Sequence, residues 1–150
     1  MTGLAAGILL QMALLTTSAQ PYDQALTSAK ADGQPLLVLI GADWCPGCRT
    51  MKHSVLAGME QGGRLKDVNY AVIDADRDAA LARQMMRGNS IPQVIVFSKT
   101  ADGWHREQVT GAVSEGHVQG MLARATAAAK KSTEPAAQPA TEVASKTDSQ

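Results

Sequence analysis

The sequence predicts an α/β domain in which a mixed β-sheet lies between layers of helix. Three observations carry that prediction. The apolar runs 36–40, 69–74 and 93–97 are too short for typical helices. Segments with apolar residues three and four apart separate them, which is helical spacing. Finally, Asp102-Gly103 turns the third run into a more polar, alternating stretch suited to a sheet edge. The resulting order is α-β-α-β-α-β-β-α.

The elements follow one by one. Tyr22, Ala25, Leu26 and Ala29 share a helix face that Asp32-Gly33 ends. The run 36–40 lacks alternation, as expected of a strand buried on both faces. Pro46 stands where the next helix should begin, a position at which its missing N–H costs nothing. On that helix Cys48, Met51, Val55 and Met59 form the predicted inner face, and Gly62-Gly63 breaks it. After the second strand, 69–74, a helix is predicted over 76–87 with Leu81 and Met85 inward and Gly88 as its C-cap. The third strand is 93–97 and the fourth 104–110. Ser114 reads as the N-cap of a last helix with Val118, Met121, Leu122 and Ala125 on one stripe. Arg124, Lys130 and Lys131 lie toward its C-terminal end, where cations are favoured.

Two ends frame this domain. Residues 3–15 are apolar apart from Gln11, and Thr17-Ser18-Ala19 offers small residues for cleavage, so 1–19 is predicted to be a secretory signal peptide. No Lys or Arg precedes the run, which leaves an uncleaved anchor as the other reading, and with it the only predicted membrane contact. At the far end 132–150 is Pro, Ala, Ser, Thr, Gln, Glu, Asp and Lys with a single large apolar residue, Val143, a composition that cannot offset its ordering entropy. The domain is therefore placed at 20–131 and the tail read as disordered. Formal net charge is zero and no basic stripe interleaves with aromatics, so nucleic acid is not an expected partner.

Chemistry concentrates in one place. The chain has two cysteines, Cys45 and Cys48, set two residues apart at a strand-to-helix junction. That spacing brings the thiols within disulfide reach, and the helix start favours a thiolate on the first. A bond closing so short a loop removes little unfolded-chain entropy, so stability is a poor reason for it.

From residue 22 to about 130 the chain resembles the thioredoxin fold. The resemblance rests on Ala42-Asp43-Trp44-Cys45-Pro46-Gly47-Cys48, on Ser90-Ile91-Pro92 before a strand, on the Asp102-Gly103 hairpin, and on Gly111-Ala112-Val113-Ser114 before the last helix. With its opening helix at 22–26, it is most similar to exported thioredoxin-like proteins that act on the cell envelope. The resemblance implies a periplasmic or otherwise exported thiol:disulfide oxidoreductase; no cofactor and no metal are expected. Its partners would be protein thiols and disulfides of the envelope and a redox partner protein. Cys45 would be the exposed nucleophile and Cys48 the resolving thiol facing the core. Trp44, Pro46, Gly47, Ile91 and Pro92 would bind substrate, with Trp44 shielding the thiols, Gly47 admitting the substrate chain and Ile91–Pro92 cis. Lowering a thiol pKa from about 8.5 to about 7 raises the neutral-pH thiolate fraction roughly 16-fold, of which weaker nucleophilicity takes back about 5-fold. The larger gains are expected from the leaving group and the intramolecular resolving step.

Two departures narrow the expectation. No charged residue stands between the cysteines, unlike the His of strongly oxidising relatives, which favours a reductant or intermediate-potential carrier. Leu39 occupies the position, six before the first cysteine, where thioredoxins keep a buried acid; proton transfer from Cys48 is then left to water or substrate. Two other functions remain open on the sequence: a redox-silent binding module with a permanent Cys45–Cys48 bond, and a zinc-binding structural domain, whose four ligands would have to include some of His53, His105 and His117, with His53 placed off the Cys48 face. Residues 74–78 begin like a calcium loop, but Ala79 and Met85 stand where Gly and Glu are needed; a strand end and helix cap is the reading adopted. Asp43 is expected either to oppose the thiolate slightly or to help cap the helix.

Overall fold

The computed structural model describes residues 19–133, so the predicted leader up to Ser18 and the predicted tail beyond Thr133 lie outside the described residues. The elements are α1 (Tyr22–Asp32), β1 (Leu36–Gly41), α2 (Pro46–Thr50), a π-helical turn (Met51–Leu56), α3 (Ala57–Gln61), β2 (Asn69–Asp74), α4 (Ala79–Met85), β3 (Gln93–Thr100), β4 (Gly103–Thr110) and α5 (Glu115–Thr133). The strands form one sheet in the order β2-β1-β3-β4. β1 runs parallel to β2 and antiparallel to β3, and β4 pairs antiparallel with β3 at the edge. This is the thioredoxin fold the sequence suggested.

Alternation along β1 explains the layers. Every residue of 36–41 is buried. Leu37 and Leu39 point to one side, into a core with Met51, Leu56 and Met59 from the second helical run and Val118, Met121 and Leu122 from α5. Leu36, Val38 and Ile40 point to the other, against Ala25 and Ala29 of α1 and Ala82 and Met85 of α4. A strand apolar on both faces needs cover on both, and the helices supply it. Among the described residues no helix is long and apolar enough to cross a membrane.

Three details depart from the sequence reading. The helical run after Cys45 contains a π turn, so the inner face steps from Met51 to Leu56; Leu56 is fully buried and the predicted Val55 only half-buried. Helix α4 is shorter than 76–87. The Asp74 carboxylate accepts the N–H groups of Asp76 (2.9 Å) and Arg77 (3.1 Å), which holds the chain in a turn before the helix can start. At its other end Met86 is already extended, and Gly88, at φ 71°, lies in the loop beyond and caps nothing. Strand β3 also continues past residue 97 to Thr100, whose hydroxyl donates to the Gly103 carbonyl across the hairpin (2.9 Å).

Ser114 behaves as predicted: its Oγ accepts the His117 N–H at 3.3 Å at the start of α5.

Candidate active site

The two cysteines are brought together by a helix cap. After β1 the chain turns, with the Cys45 N–H donating to the Ala42 carbonyl at 3.1 Å. Cys45 is extended (φ −83°, ψ 116°) and is the N-cap of α2, with Pro46 at the first helical position. Its Sγ accepts the Cys48 N–H at 3.2 Å, taking the place an oxygen usually holds at such a cap. Cys45 and Cys48 form a disulfide with Cα atoms 5.2 Å apart.

The backbone behind them is equally specific. A Cβ at Gly41 would lie 2.9 Å from the Cys48 Cβ and 3.1 Å from its Sγ, so only glycine lets Cys48 tuck against the end of β1. The sequence reading passed over this residue; its position directly after an apolar strand was the available signal. Gly47 has a related role. A side chain there would meet the Pro92 ring at 3.3 Å and the Ala112 Cβ at 3.6 Å. The room its hydrogen leaves is thus occupied by the chain's own loops.

Those loops close the front of the site. The Ile91–Pro92 peptide bond is cis, and the Ile91 carbonyl oxygen lies 3.9 Å from Cys45 Sγ. The Gly111 N–H donates to the Pro92 carbonyl (2.8 Å), and the Val113 N–H donates to the buried Met51 Sδ (3.3 Å). Cys45 is 6% exposed against 4% for Cys48, so the expected contrast between an exposed and a buried cysteine is not found in the disulfide form. Pro46 is exposed, Gly47 and Ile91 are half-buried and Pro92 is buried. Trp44, 66% exposed, turns its ring to solvent while its indole N–H donates to Asp76 Oδ2 at 2.9 Å.

Charge near the sulfurs is balanced. Asp43 does not cap the helix, because the Cys45 sulfur does; its carboxylate lies 3.8 Å from Lys52 Nζ and 3.5 Å from an Arg77 nitrogen. The two N–H bonds from Asp76 and Arg77 hold the Asp74 carboxyl below the usual range, so it stays ionised and is a poor proton acceptor. Leu39 is buried where an acid might have stood. It lines a cleft of about 360 Å³ behind Cys48, together with Val72, Lys52 and Asp74. His53, His105 and His117 are all exposed. Among the described residues no group of three His, Cys, Asp or Glu side chains is placed to hold a metal ion.

The thioredoxin-like family model matches residues 17–99, more than half of the chain. Two thiol:disulfide interchange proteins of Pseudomonas aeruginosa are similar: DsbD 2, 32% identical over 69% of this chain, and DsbD 1, 28% identical over 74%. The chain spans only 18% and 19% of their lengths. Among solved structures, a thioredoxin from Thermus thermophilus superposes with a TM-score of 0.59, covering 73% of this chain and 87% of that one at 23% identity, a likeness of fold.

Proposed function

The chain belongs to the thioredoxin-like family, and on that premise we propose that Cys45 and Cys48 exchange electrons with cysteines of exported proteins, as a reductant or intermediate-potential carrier. It is a thiol:disulfide oxidoreductase related to the interchange proteins. The observation that carries the mechanism is the Cys48 N–H directed at Cys45 Sγ at the start of a helical run, beside the Ile91–Pro92 loop.

In the reducing direction the Cys45 thiolate attacks a substrate disulfide, forming a mixed disulfide and expelling one substrate thiolate. Cys48 then loses its proton and displaces the second substrate thiolate, closing the Cys45–Cys48 bond; two electrons pass to the substrate. The Cys48 N–H and the helix start stabilise the Cys45 thiolate as attacking and as leaving group. With Leu39 in place of an acid, the resolving proton goes to solvent water, for which the cleft lined by Cys48 and Leu39 offers a path, or to the departing substrate thiolate. An extended substrate chain pairs with the Ile91 backbone and rests on the exposed Trp44 and Pro46, while Gly47 lets the Pro92 loop close against the helix start. Export is supported by the likeness to the interchange proteins and by the predicted leader. The absence of any charged residue between the cysteines supports a reductant or carrier.

The test is a Cys48→Ser trap. Without the resolving thiol, partners should accumulate as mixed disulfides on Cys45, be released by reductant, and be exported proteins. No Cys45-dependent adduct, or adducts confined to cytoplasmic proteins, would overturn the reading. Equilibration of the parent with glutathione should give a potential between about −270 and −180 mV; a value near −120 mV would indicate an oxidant instead.

A further inference from the structure

Gln93 is the first residue of β3, follows Pro92 directly, and is fully buried. A buried primary amide must find partners for two N–H groups and an oxygen. This one spends them on the loop in front of the active site. Its Nε2 donates to the carbonyls of Arg87 (3.0 Å) and Ser90 (2.8 Å), and its Oε1 accepts the Arg87 N–H (3.0 Å) and a hydrogen from Gln108 Nε2. Gln108 and Arg106, on the neighbouring strand β4, continue the network to the Met85 carbonyl at the end of α4. The Arg106 guanidinium is in turn stacked over the Phe97 ring, 5.6 Å from its centroid.

The Gly111 N–H holds the Pro92 carbonyl, but the stretch before Ile91 has no comparable backbone anchor. Among the described residues no backbone–backbone hydrogen bond reaches Arg87, Gly88, Asn89, Ser90 or Ile91. Yet this segment ends in the Ile91 carbonyl that sits on Cys45 Sγ. The Gln93 amide therefore acts as a surrogate strand, pairing with both backbone groups of Arg87 as a neighbouring peptide would.

We propose that Gln93 is a positioning residue that holds the Ile91–Pro92 segment against Cys45 and thereby makes the site selective for disulfides in polypeptide chains over small disulfides. The inference rests on the oxidoreductase reading above and adds a specificity determinant to it. Two consequences of one clamp oppose each other. A held loop presents a fixed peptide edge to an extended substrate, and it lies over the sulfur, with the Ile91 carbonyl 3.9 Å from Sγ of a Cys45 that is 6% exposed. Releasing the loop takes away the edge and uncovers the sulfur. Loss of fold alone would not lower the one rate while sparing or raising the other.

The experiment compares Gln93→Leu with the parent, both in a Cys48→Ser background, at about pH 10 where a thiol of ordinary pKa near 8.5 is ionised. Cys45 is reacted with iodoacetamide, with 2-hydroxyethyl disulfide, and with a linear decapeptide carrying one internal disulfide. The peptide rate should fall about tenfold, the loss expected for one or two backbone hydrogen bonds, while the two small reagents react as fast or about threefold faster. Rates that fall together, or that all stay within about twofold, would overturn the proposal. Should Gln93→Leu not fold, Gln108→Leu, which removes one partner of the clamp, should shift the rates in the same senses. Hydrogen exchange on the parent is a second measurement: the Arg87 amide should exchange about 100-fold more slowly than that of Asn89, and equal exchange would refute the clamp. If the parent reacts with neither disulfide, it is the oxidoreductase reading that fails, while the iodoacetamide and hydrogen-exchange arms still judge the clamp.

Discussion

Replacing Gly41 by alanine should destabilise the disulfide form more than the dithiol form. The new Cβ would stand 2.9 Å from the Cys48 Cβ and 3.1 Å from its Sγ. Carbon atoms in contact settle at about 3.5–4.0 Å, so strand and helix must separate by about 0.6 Å. Neither gives easily. The Gly41 carbonyl is tied to the Ala75 N–H at 2.8 Å, and the Cys48 Cβ is part of the helix itself. Overpacking of this kind costs about 1–3 kcal/mol. Taking about 2 kcal/mol, and roughly 4 °C per kcal/mol for a domain of this size, the oxidised melting temperature should drop by about 8 °C. The sulfur clash is different in kind. Once the disulfide is opened Sγ can rotate away, while the Cβ clash stays. If reduction relieves about half the cost, the disulfide is disfavoured by about 1 kcal/mol and the potential becomes less negative by about 20 mV. Calorimetric scans of both redox forms and equilibration with glutathione read these out. An oxidised form melting within about 2 °C of the parent, or a larger loss in the dithiol form, would refute the reasoning.

The π turn and the surface charges give two further expectations. Leu56→Ala should cost about 2–5 kcal/mol in urea unfolding and Val55→Ala about 1 kcal/mol, because Leu56 is the fully buried one; the reverse order would mean that the helix is regular there. Glu107 accepts from the Arg124 side chain, and that bond holds its carboxyl below the ordinary value. A depressed pKa contributes stability that is complete above the unfolded value near 4.3 and is lost as the pH falls through the folded one. Parent minus Glu107→Gln melting temperature should therefore be positive at pH 7 and shrink toward zero in acid; a difference that grows with acid would contradict the pairing.

Much of this was legible in the sequence because the signals are local. An apolar run buried on both faces, a proline at a helix start and a serine at another are statements about neighbouring residues, and they placed the strands and most helices. The Cys45–Cys48 pair and Ile91-Pro92 were legible as motifs. What was missed depends on partners distant in sequence or on a change of period. Asp74 stops a helix by capturing N–H groups that periodicity assigns to it. The π turn adds a residue to a face that the 3.6 period would carry on through Val55. Gln93 reads as an ordinary polar residue at the start of a strand; its meaning appears only when Arg87, Ser90 and Gln108 are seen around it. Its one local clue was a glutamine opening an otherwise apolar run.

The same contrast bears on what sets the properties of the redox pair. The charged groups nearest the cysteines in sequence are Asp43 and Arg49, and Asp43 is exposed and answered by Lys52 and Arg77. Exposed, mutually compensated charges contribute little in water and less at physiological salt. The groups that do reach Cys45 Sγ are backbone: the Cys48 N–H at 3.2 Å and the Ile91 carbonyl at 3.9 Å. One favours a thiolate and the other opposes it, and each is fixed by a residue with no charge of its own. Gly41 lets the helix carrying the first sit against β1, and Gln93 holds the loop carrying the second. Residues that place backbone should therefore tune this site more strongly than residues that add charge around it. A dithiol pair lacking both a His between its cysteines and an acid behind them is then expected to take its reactivity from the geometry of two peptide groups.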